Sequence, residues 1–376
     1  MSTVTWDKEL IEKYNINGPR YTSYPTALML SEQFSESRIE TALKNANDGL
    51  CLYLHLPFCH KLCYYCGCNK VITRHQHKAD KYLDYLAREM AMYQPMVKDK
   101  KIRQIHLGGG TPTFLTEQQL TRLMELVHQH FTFADNPEVS IEIDPRSCSD
   151  EKLRHLRELG FNRVSYGVQD FDKKVQIAIN RVQDIELIAH QLKLSKELGF
   201  ESINLDLIYG LPYQRPETFK KSIEQVIEMD PDRISVFSYA HLPQRFAGQK
   251  KIPEESIPQP SVKLSLLEQA ITQLNDAGYQ FIGMDHFAKK DDGLAIAQRE
   301  GRLQRNFQGY TTDGQDALLG LGVSSISQVN GVLWQHEKEL PAYYKMIDNG
   351  QKPIIKSMAL NDEDKLRAAL ISQVIC

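Results

Sequence analysis

The segment "PFCHKLCYYCGCNK", residues 57–70, contains four of the seven cysteines in this chain of 376 residues. Cys59, Cys63 and Cys66 have C-x3-C-x2-C spacing, and Cys68 follows one residue later. Crowded thiols of this kind are ligands for zinc or for an iron–sulfur cluster. A structural zinc site usually takes two ligand pairs separated by a longer loop, and the second pair is absent here. Zinc is therefore the weaker alternative.

An iron–sulfur cluster normally takes four cysteine ligands, and Cys68 is the literal fourth candidate. Only one residue separates it from Cys66, so the two thiols would have difficulty reaching different corners of one cubane. We therefore predict three ligands and one open iron, where a substrate or cofactor can bind.

Cys51, Cys148 and Cys376 are isolated, and we interpret them as small buried apolar residues.

Charge and composition restrict the environment and the partners. Lys and Arg total 45 against 48 Asp and Glu, a net charge of -3, so we expect neither nucleic acid nor an anionic membrane as a partner. The N-terminal "MSTVTWDKELIEKYN" lacks the apolar run of a secretory signal, and no segment approaches ~18 uninterrupted apolar residues. We predict a cytosolic chain whose cysteines stay reduced instead of forming disulfides.

Apolar, β-rich runs alternate with amphipathic helical patterns along the chain, which predicts an α/β fold with parallel strands and right-handed crossovers. The predicted strands cover residues 50–56, 102–107, 139–144, 163–169, 202–210, 233–240 and 279–287. The predicted helices cover 77–94, 116–131, 184–199 and 216–230. Helix-end residues support these bounds: Thr116 as an N-cap, Gly160 and Gly199 as stops, and Pro216 as a start.

Polar and glycine-rich residues follow successive predicted strands at their C-terminal ends: the cysteines, "GGGTPT", "EIDP", "GVQD", "DLIYGLP" and "SYAHLP". Sites gathered on one rim favour a barrel over a single crevice, so we predict a partial (βα)6 barrel. The predicted organisation is an extended N-terminal arm and helix (1–48), the barrel (49–290), a barrel-completing and rim segment (291–360) and a helical start (361–376). The last segment, capped at Asn361, has no terminating residues, so we expect a truncated C-terminal helical domain.

The cysteine spacing after the first strand resembles that of the radical SAM enzymes, which use S-adenosylmethionine (SAM). "GPRYTSYPT", "YLHLPFCHKLCYYCGCNK", "HLGGGTPTFL", "GVQDF", "NLDLIYGLP", "YAHLP", "GYQFIGMDHFA" and "NFQGYTT" together resemble the oxygen-independent coproporphyrinogen III oxidases of haem biosynthesis. The resemblance covers residues from about 10 to 376.

The resemblance implies that Cys59, Cys63 and Cys66 hold a [4Fe-4S] cluster whose fourth iron binds SAM, and that Cys68 does not ligate iron. A 5'-deoxyadenosyl radical would then take hydrogen from a propionate of coproporphyrinogen III. Loss of carbon dioxide and one electron leaves a vinyl group, and two such steps give protoporphyrinogen IX. The electron donor and the final acceptor stay unidentified, and a monomer is the default expectation.

By the family pattern, one SAM molecule contacts Tyr53, Gly109, Glu142 and Ile326. The residues expected around a second SAM molecule are Tyr65, Gly110, Thr111, Gln169, Arg181, Asp206 and Ala240. "GGGTPT" offers backbone N–H groups to a carboxylate, or is an ordinary tight turn. The alternative for Glu142 is a structural salt bridge. The alternative for Arg181 is a solvated charge in a loop. Asp206 is a charge in an apolar strand, so it also needs a partner.

Three further expectations concern the surroundings of the site. Arg20, Tyr21 and Tyr24 of the arm either meet a propionate and the tetrapyrrole face or simply pack the arm on the barrel. His55 and His60 flank the cluster loop and are candidates for hydrogen bonds around it. The competing functions are a haem-binding carrier with the same barrel, a plain iron–sulfur electron carrier, and a fragment with impaired turnover.

Overall fold

A computed structural model describes residues 6–14, 24–312, 314 and 317–376. Its α-helices in these ranges are α1 (Lys8–Tyr14), α2 (Glu36–Lys44), α3 (His77–Val97), α4 (Glu117–His130), α5 (Asp150–Glu158), α6 (Lys173–Ala178), α7 (Ile185–Glu197), α8 (Pro216–Met229), α9 (Pro260–Asp276), α10 (Gly293–Arg299), α11 (Leu340–Asp348) and α12 (Asp362–Ile375). Short 3-10 turns occupy Ala27–Met29, Pro112–Phe114, Pro145–Ser147, Ala247–Lys251 and Glu254–Ser256.

The strands are β1 (Gly49–Leu56), β2 (Phe58–Cys59), β3 (Val71–Ile72), β4 (Lys101–Gly109), β5 (Thr132–Ile143), β6 (Arg163–Gln169), β7 (Ser202–Tyr209), β8 (Arg233–Ser238), β9 (Gln280–Gly283), β10 (His286–Ala288), β11 (Gln304–Arg305), β12 (Tyr310–Thr311), β13 (Ala317–Leu321), β14 (Ile326–Val329), β15 (Val332–His336) and β16 (Ile354–Ala359). The four predicted helices and the first six predicted strands are all present, with shifted ends.

Helix ends form where the sequence predicts them. The Thr116 side chain accepts from the N–H of Gln119, whose own side chain returns the bond as a capping box at the start of α4. Gly160 and Gly199 follow α5 and α7 with φ of 91° and 76°, a left-handed conformation that glycine adopts without strain. Pro216 is the first residue of α8.

Twelve strands of the described chain form one sheet in the order β16-β15-β14-β13-β1-β4-β5-β6-β7-β8-β10-β9. The run from β13 to β8 is parallel, and the outer strands are antiparallel. This confirms the predicted α/β class. In the described residues the two outermost strands of that order, β16 and β9, do not pair with each other, so hydrogen bonds do not close the barrel.

Two strand predictions need correction. The run 279–287 is two antiparallel strands, β9 and β10, because the chain reverses at Gly283 and Met284, which both have positive φ. The parallel part also has a seventh strand, β13, whose register pairs Tyr53 with Gly320. β13 reads "ALLGL", and so short an apolar run does not distinguish a strand from a buried helix turn.

A fully buried polar network lies within the core between α3 and the turn after β13. Glu89 accepts hydrogen bonds from the Gly322 N–H (2.9 Å) and the Tyr343 hydroxyl (2.5 Å), and its other oxygen lies 3.0 Å from His336 Nδ1. Two turns earlier in α3, the Tyr82 hydroxyl donates to the His55 carbonyl and accepts from the Val323 N–H. α3 therefore fixes the end of β1 against that turn.

In the N-terminal segment, α2 is the expected helix, whereas α1 is a helix within the part that was expected to be extended. Arg20 and Tyr21 lie outside the described residues. Tyr24 is buried and donates its hydroxyl to Asp364 of α12, which matches the packing alternative for this tyrosine. α12 begins at the predicted cap, Asn361, through a capping box with Asp364. No helix in the described residues combines the length and apolar character that crossing a bilayer requires.

Candidate functional site

The predicted site residues gather at one rim of the sheet. Parallel strands bring their C-terminal ends to the same edge. The cysteine loop follows β1, Gly109 ends β4, Gln169 ends β6, and Glu142 and Asp206 lie in β5 and β7. The rim therefore combines thiols, glycines and carboxylates from five parallel strands.

The cysteine loop is anchored at both ends. Cys59 lies in β2, which pairs with β3 across Cys59 and Ile72. Lys70 Nζ donates to the carbonyls of Cys66 (3.0 Å) and Cys68 (3.1 Å), which ties the second half of the loop together. Cys59 and Cys63 are buried, Cys66 is partly buried and Cys68 is exposed.

Hydrogen-bond donors surround two of the predicted ligand sulfurs. The Cys63 sulfur lies 3.5 Å from Arg181 Nη1 and 3.6 Å from Arg146 Nη2. The Thr111 hydroxyl donates to the Cys59 sulfur at 3.3 Å. These donors favour thiolates over thiols, and the thiolate is the form that binds iron.

The pKa values of the thiols differ with their surroundings. Burial raises the pKa of Cys59 to about 12, and the Thr111 hydrogen bond opposes this only in part. A hydrogen bond from Cys68 lowers the pKa of Cys66 to about 6, with help from Lys70. A positively charged metal centre would stabilise the thiolate form of Cys59, because coordination to a metal ion deprotonates a thiol.

The donor set therefore fits a thiolate-ligated cluster. Among the described residues, no three His, Cys, Asp or Glu side chains converge as they would around a single metal ion. The cysteines of a cubane each bind a different iron, so they need not converge on one point. The fit rests on the anchored loop and on the cationic groups that face its sulfurs.

Arg181 is a buried residue and not a solvated loop charge, so that alternative is wrong. Its Nη1 donates to Asp144 Oδ2 (3.2 Å) and its Nη2 to the Gly167 carbonyl (2.6 Å). Arg146 pairs with the same carboxylate at 2.6 Å. Burial works against the charge of Asp144, but Arg181 and then Arg146 bring its pKa to about 2. Arg181 Nε has no hydrogen-bond partner within the described residues and is a spare donor.

The N–H groups of the glycine turn at the end of β4 bond within the chain, which matches the alternative of an ordinary tight turn. The N–H of Gly109 donates to Glu142 Oε2 (3.2 Å), that of Gly110 to the Leu56 carbonyl (2.8 Å), and that of Thr111 to the Phe58 carbonyl (2.9 Å). These three N–H groups are therefore not open to a carboxylate. A Cβ on Gly110 would lie 2.6 Å from the Pro57 carbonyl, so the glycines let β4 and the cysteine loop approach closely.

Glu142 contacts its neighbours with both oxygens. Oε2 accepts from Gly109, and Oε1 lies 3.5 Å from His106 Nε2. The His106 ring stacks on Tyr53, whose hydroxyl is 3.1 Å from His55 Nδ1. Burial alone would raise the pKa of Glu142, but the His106 hydrogen bond and charge bring it below the ordinary value. The weak salt bridge leaves 45% of the carboxylate side chain exposed to a cavity.

Asp206 lines the same cavity and has only neutral hydrogen-bond partners. Asn204 Nδ2 donates to it at 2.7 Å and Ser165 Oγ at 3.0 Å. Burial, and then the charge of Glu142, raise the pKa of Asp206. The cavity measures about 300 Å³, and the predicted cluster ligands do not line it.

The remaining predicted residues lie around this centre. Gln169 is buried with a φ of 71°. The carbonyls of Tyr65 and Ala240 accept from the same side chain, Gln249 Nε2, at 2.9 and 3.2 Å. Ile326 begins β14, and its carbonyl would meet a Cβ on Gly320, the register partner of Tyr53. The structure thus joins Tyr65 to Ala240 and places Ile326 beside the strand that carries Tyr53.

His55 and His60 flank the loop differently. His55 is buried, and its Nε2 lies 3.0 Å from the Asn69 carbonyl, so it fixes the loop after Cys68. His60 is exposed and lies against the Phe114 ring.

Sequence reasoning missed Asp144, Arg146 and Gln249. The first two lie in "EIDPRS", where the strand-end position of Asp144 was the available indication; Gln249 had none.

The radical SAM superfamily profile matches residues 53–226, which include the cysteine loop and the rim strands. The chain is 51% identical over 374 residues to the oxygen-independent coproporphyrinogen III oxidase of Escherichia coli strain K12, covering 99% of this chain and 82% of that protein. It is 46% identical to the oxidase of the same name from Pseudomonas aeruginosa, covering 100% of this chain and 83% of that protein.

A solved structure supports the same assignment. The coproporphyrinogen III oxidase of Escherichia coli, described as a radical SAM enzyme, superposes with a TM-score of 0.96 at 50% identity over 100% of this chain and 85% of that one. Fold and cysteine loop define a radical SAM protein, a class characterised by a [4Fe-4S] cluster and SAM. Within that class, the chain belongs to the family of oxygen-independent coproporphyrinogen III oxidases. The matches span 99% to 100% of this chain and 82% to 85% of those two proteins, and they do not bear out the expected absence of a C-terminal domain.

Proposed function

We propose that this chain catalyses the oxygen-independent oxidative decarboxylation of two propionates of coproporphyrinogen III to vinyl groups, giving protoporphyrinogen IX in haem biosynthesis. The observation that carries the proposal is the Cys63 sulfur held between Arg181 and Arg146 at the rim that also presents Glu142 and Asp206. The names of the two curated relatives support the choice of substrate.

Cys59, Cys63 and Cys66 are the proposed ligands of the [4Fe-4S] cluster. The bound cluster and SAM would supply the radical chemistry that removes hydrogen from the substrate. Arg181 and Arg146 would compensate the thiolate charge at Cys63, and Thr111 would hold Cys59 by its hydrogen bond. The protein groups thus fix the ligands before the cofactor binds.

Around the first SAM molecule we propose Tyr53, Gly109, Glu142 and Ile326. Glu142 suits an amino group or ribose hydroxyls because its carboxylate is ionised and partly open to the cavity. For a second SAM molecule we propose Tyr65, Gly110, Thr111, Gln169, Arg181, Asp206 and Ala240. The spare Nε donor of Arg181 and the neutral partners of Asp206 leave both side chains able to bind a ligand.

The setting of the enzyme completes the proposal. We propose residues 49–290 as the catalytic barrel, with 1–48, 291–360 and 361–376 as the flanking segments. A monomer in the cytoplasm, without nucleic-acid or membrane partners, is the proposed form, since free thiols persist in a reducing compartment. An electron donor and a final electron acceptor are required.

The test is anaerobic reconstitution with iron and sulfide, followed by reductant, SAM and coproporphyrinogen III. We expect 5'-deoxyadenosine and vinyl products from the wild type, and neither product from Cys63→Ser. Cys148→Ala, which replaces a buried thiol outside the cysteine loop, is the matched control and should retain the cluster. Haem binding without porphyrinogen oxidation would instead favour the carrier function, and failure of the wild type to form a cluster would overturn the proposal.

A further inference from the structure

The outer face of the cysteine loop carries exposed basic residues. His60 and Lys61 follow Cys59 and are exposed, as is Arg74 on the neighbouring segment. The Thr73 N–H donates to the Cys59 carbonyl at 3.0 Å, which holds the two segments side by side. The surface formed by His60, Lys61, Ile72 and Arg74, here named the loop-face patch, therefore covers the backbone of a proposed cluster ligand.

The positive charges of Lys61 and Arg74 in the loop-face patch have no ion-pair partner in the part of the chain that the structure describes. Lys152, close to His60, donates its Nζ to the carbonyls of Thr113 (3.0 Å) and Leu115 (2.8 Å) and forms no ion pair with a described residue. The negative charge of Asp144 also acts on His60, but this carboxylate is paired with Arg146 and Arg181. The whole chain has a net charge of -3, so this concentration of positive charge is a local exception.

The loop-face patch also has an apolar part. Ile72 is 43% exposed although it lies in a strand. The His60 ring packs on Phe114 with 4.4 Å between ring centroids, which limits its freedom at the surface. Apolar area next to charged groups is the usual composition of a transient protein interface.

The patch is separate from the cavity that holds the proposed ligand residues. Glu142 and Asp206 line that cavity, whereas none of the four patch residues does. A partner on the patch would therefore leave the cavity free for SAM and substrate. It would also come close to the cluster, because Cys59 directly precedes His60 and its carbonyl accepts from the Thr73 N–H.

We propose that the loop-face patch docks an acidic one-electron carrier protein that reduces the cluster. This inference rests on the proposed function, which requires an electron donor. One electron leaves the reduced carrier and enters the cluster, and no bond forms or breaks. Opposite charges accelerate such an encounter and make it sensitive to ionic strength.

The test compares two double variants that alter charge equally. Lys61→Glu with Arg74→Glu reverses the patch, and Arg38→Glu with Lys345→Glu reverses two exposed basic residues on α2 and α11. Each reconstituted protein is mixed with reduced plant-type ferredoxin, with reduced flavodoxin, and with dithionite as a small reductant. Stopped-flow absorbance gives the rate of cluster reduction, and calorimetry gives carrier affinity at several salt concentrations.

We expect the patch variant to lose about tenfold or more in rate and affinity with at least one carrier at low salt, while dithionite reduces it at the wild-type rate. Wild-type rates should fall as salt is added. Equal carrier rates in both double variants, or a wild-type rate independent of salt, would overturn the proposal. A raised KM for coproporphyrinogen III with unchanged carrier rates would also overturn it, assigning the patch to the substrate. A wild type that forms no reducible cluster with dithionite would instead refute the proposed function itself.

Discussion

The Nη1 atom of Arg181 lies 3.5 Å from the sulfur of Cys63 and 3.2 Å from Asp144 Oδ2. One guanidinium nitrogen is thus shared between a proposed iron ligand and a buried carboxylate. The planar fork of arginine permits this while Nη2 binds the Gly167 carbonyl, and the point charge of a lysine could not span the three acceptors. The loop after β6 is thereby fixed to the cysteine loop.

Replacing Arg181 by Met should destabilise the apoprotein. Asp144 would keep Arg146 but lose its other cation, and removing one member of a buried ion pair costs roughly 3 kcal/mol. Urea unfolding measures the change. Arg122→Met is the matched control, since Arg122 pairs with Asp84 on the surface and its loss should cost less than about 1 kcal/mol. Equal losses in both variants would contradict a special role for the Arg181 site.

Gly110→Ala should disrupt the proposed SAM site. The new Cβ would lie 2.6 Å from the Pro57 carbonyl, so either β4 or the cysteine loop must move. We expect at least about a tenfold loss of SAM affinity, or roughly 1.4 kcal/mol, by equilibrium dialysis of the reconstituted protein. Gly160→Ala, whose Cβ would meet nothing within 4 Å, introduces only left-handed strain and should leave SAM affinity unchanged. Wild-type affinity in Gly110→Ala would show that the close approach is dispensable.

Asp206→Asn should stabilise the apoprotein at neutral pH while weakening ligand binding. The folded pKa of Asp206 is raised, first by burial and then by Glu142, so the folded protein holds the proton more tightly than the unfolded chain does. Stability is therefore lost as pH rises from the ordinary aspartate pKa through the folded value, and the Asn variant avoids that loss. Urea unfolding should show an advantage of the variant at pH 7 that shrinks toward pH 4.

Asp230→Asn provides a control of opposite sign. The pKa of Asp230 is lowered despite partial burial, because Lys289 and Lys196 bind it. Its charge stabilises the folded state above the ordinary aspartate pKa, so this variant should be slightly less stable than the wild type at pH 7. If both variants shift stability in the same direction, the assignment of Asp206 as the strained carboxylate is wrong.

Cys68→Ser should leave the iron content of the reconstituted protein intact, because Cys68 is exposed and is predicted not to be a ligand. The hydrogen bond that lowers the pKa of Cys66 can persist in this variant, since a serine hydroxyl is also a donor. Iron analysis and visible absorbance measure cluster content. Cys66→Ser should lose the cluster under the same conditions, and comparable loss in both variants would make Cys68 a ligand.

Much of the fold follows from local patterns. The central parallel strands are continuous apolar runs bounded by helix signals, so their number and order are readable from β1 to β8. β13 was not predicted, because its five residues have no periodicity that identifies a strand. Only pairing with β1 makes them a strand. The reversal at Gly283 and Met284 was hidden for a similar reason, since one long run was expected where two short strands meet.

The site was predicted unevenly. The proposed cysteine ligands were predicted from their spacing, but the partners of Arg181 are separated from it in sequence and become visible only in three dimensions. The glycine turn was recognised from its composition, but its hydrogen-bond partners were not. Its N–H groups donate to Glu142, Leu56 and Phe58, and these contacts depend on how β1, β4 and β5 pack together. A backbone N–H group can be assigned to a ligand only when it does not already donate to another group of the folded chain.

The pairing of β1 with β13 has a consequence for synthesis of the protein on the ribosome. β1 emerges early, but one of its two neighbours belongs to a much later part of the chain. Until β13 is made, the strand that carries Tyr53 has an open edge available to other strands, including those of other nascent chains. Correct assembly of the cofactor site therefore depends on shielding an early strand until a late one arrives.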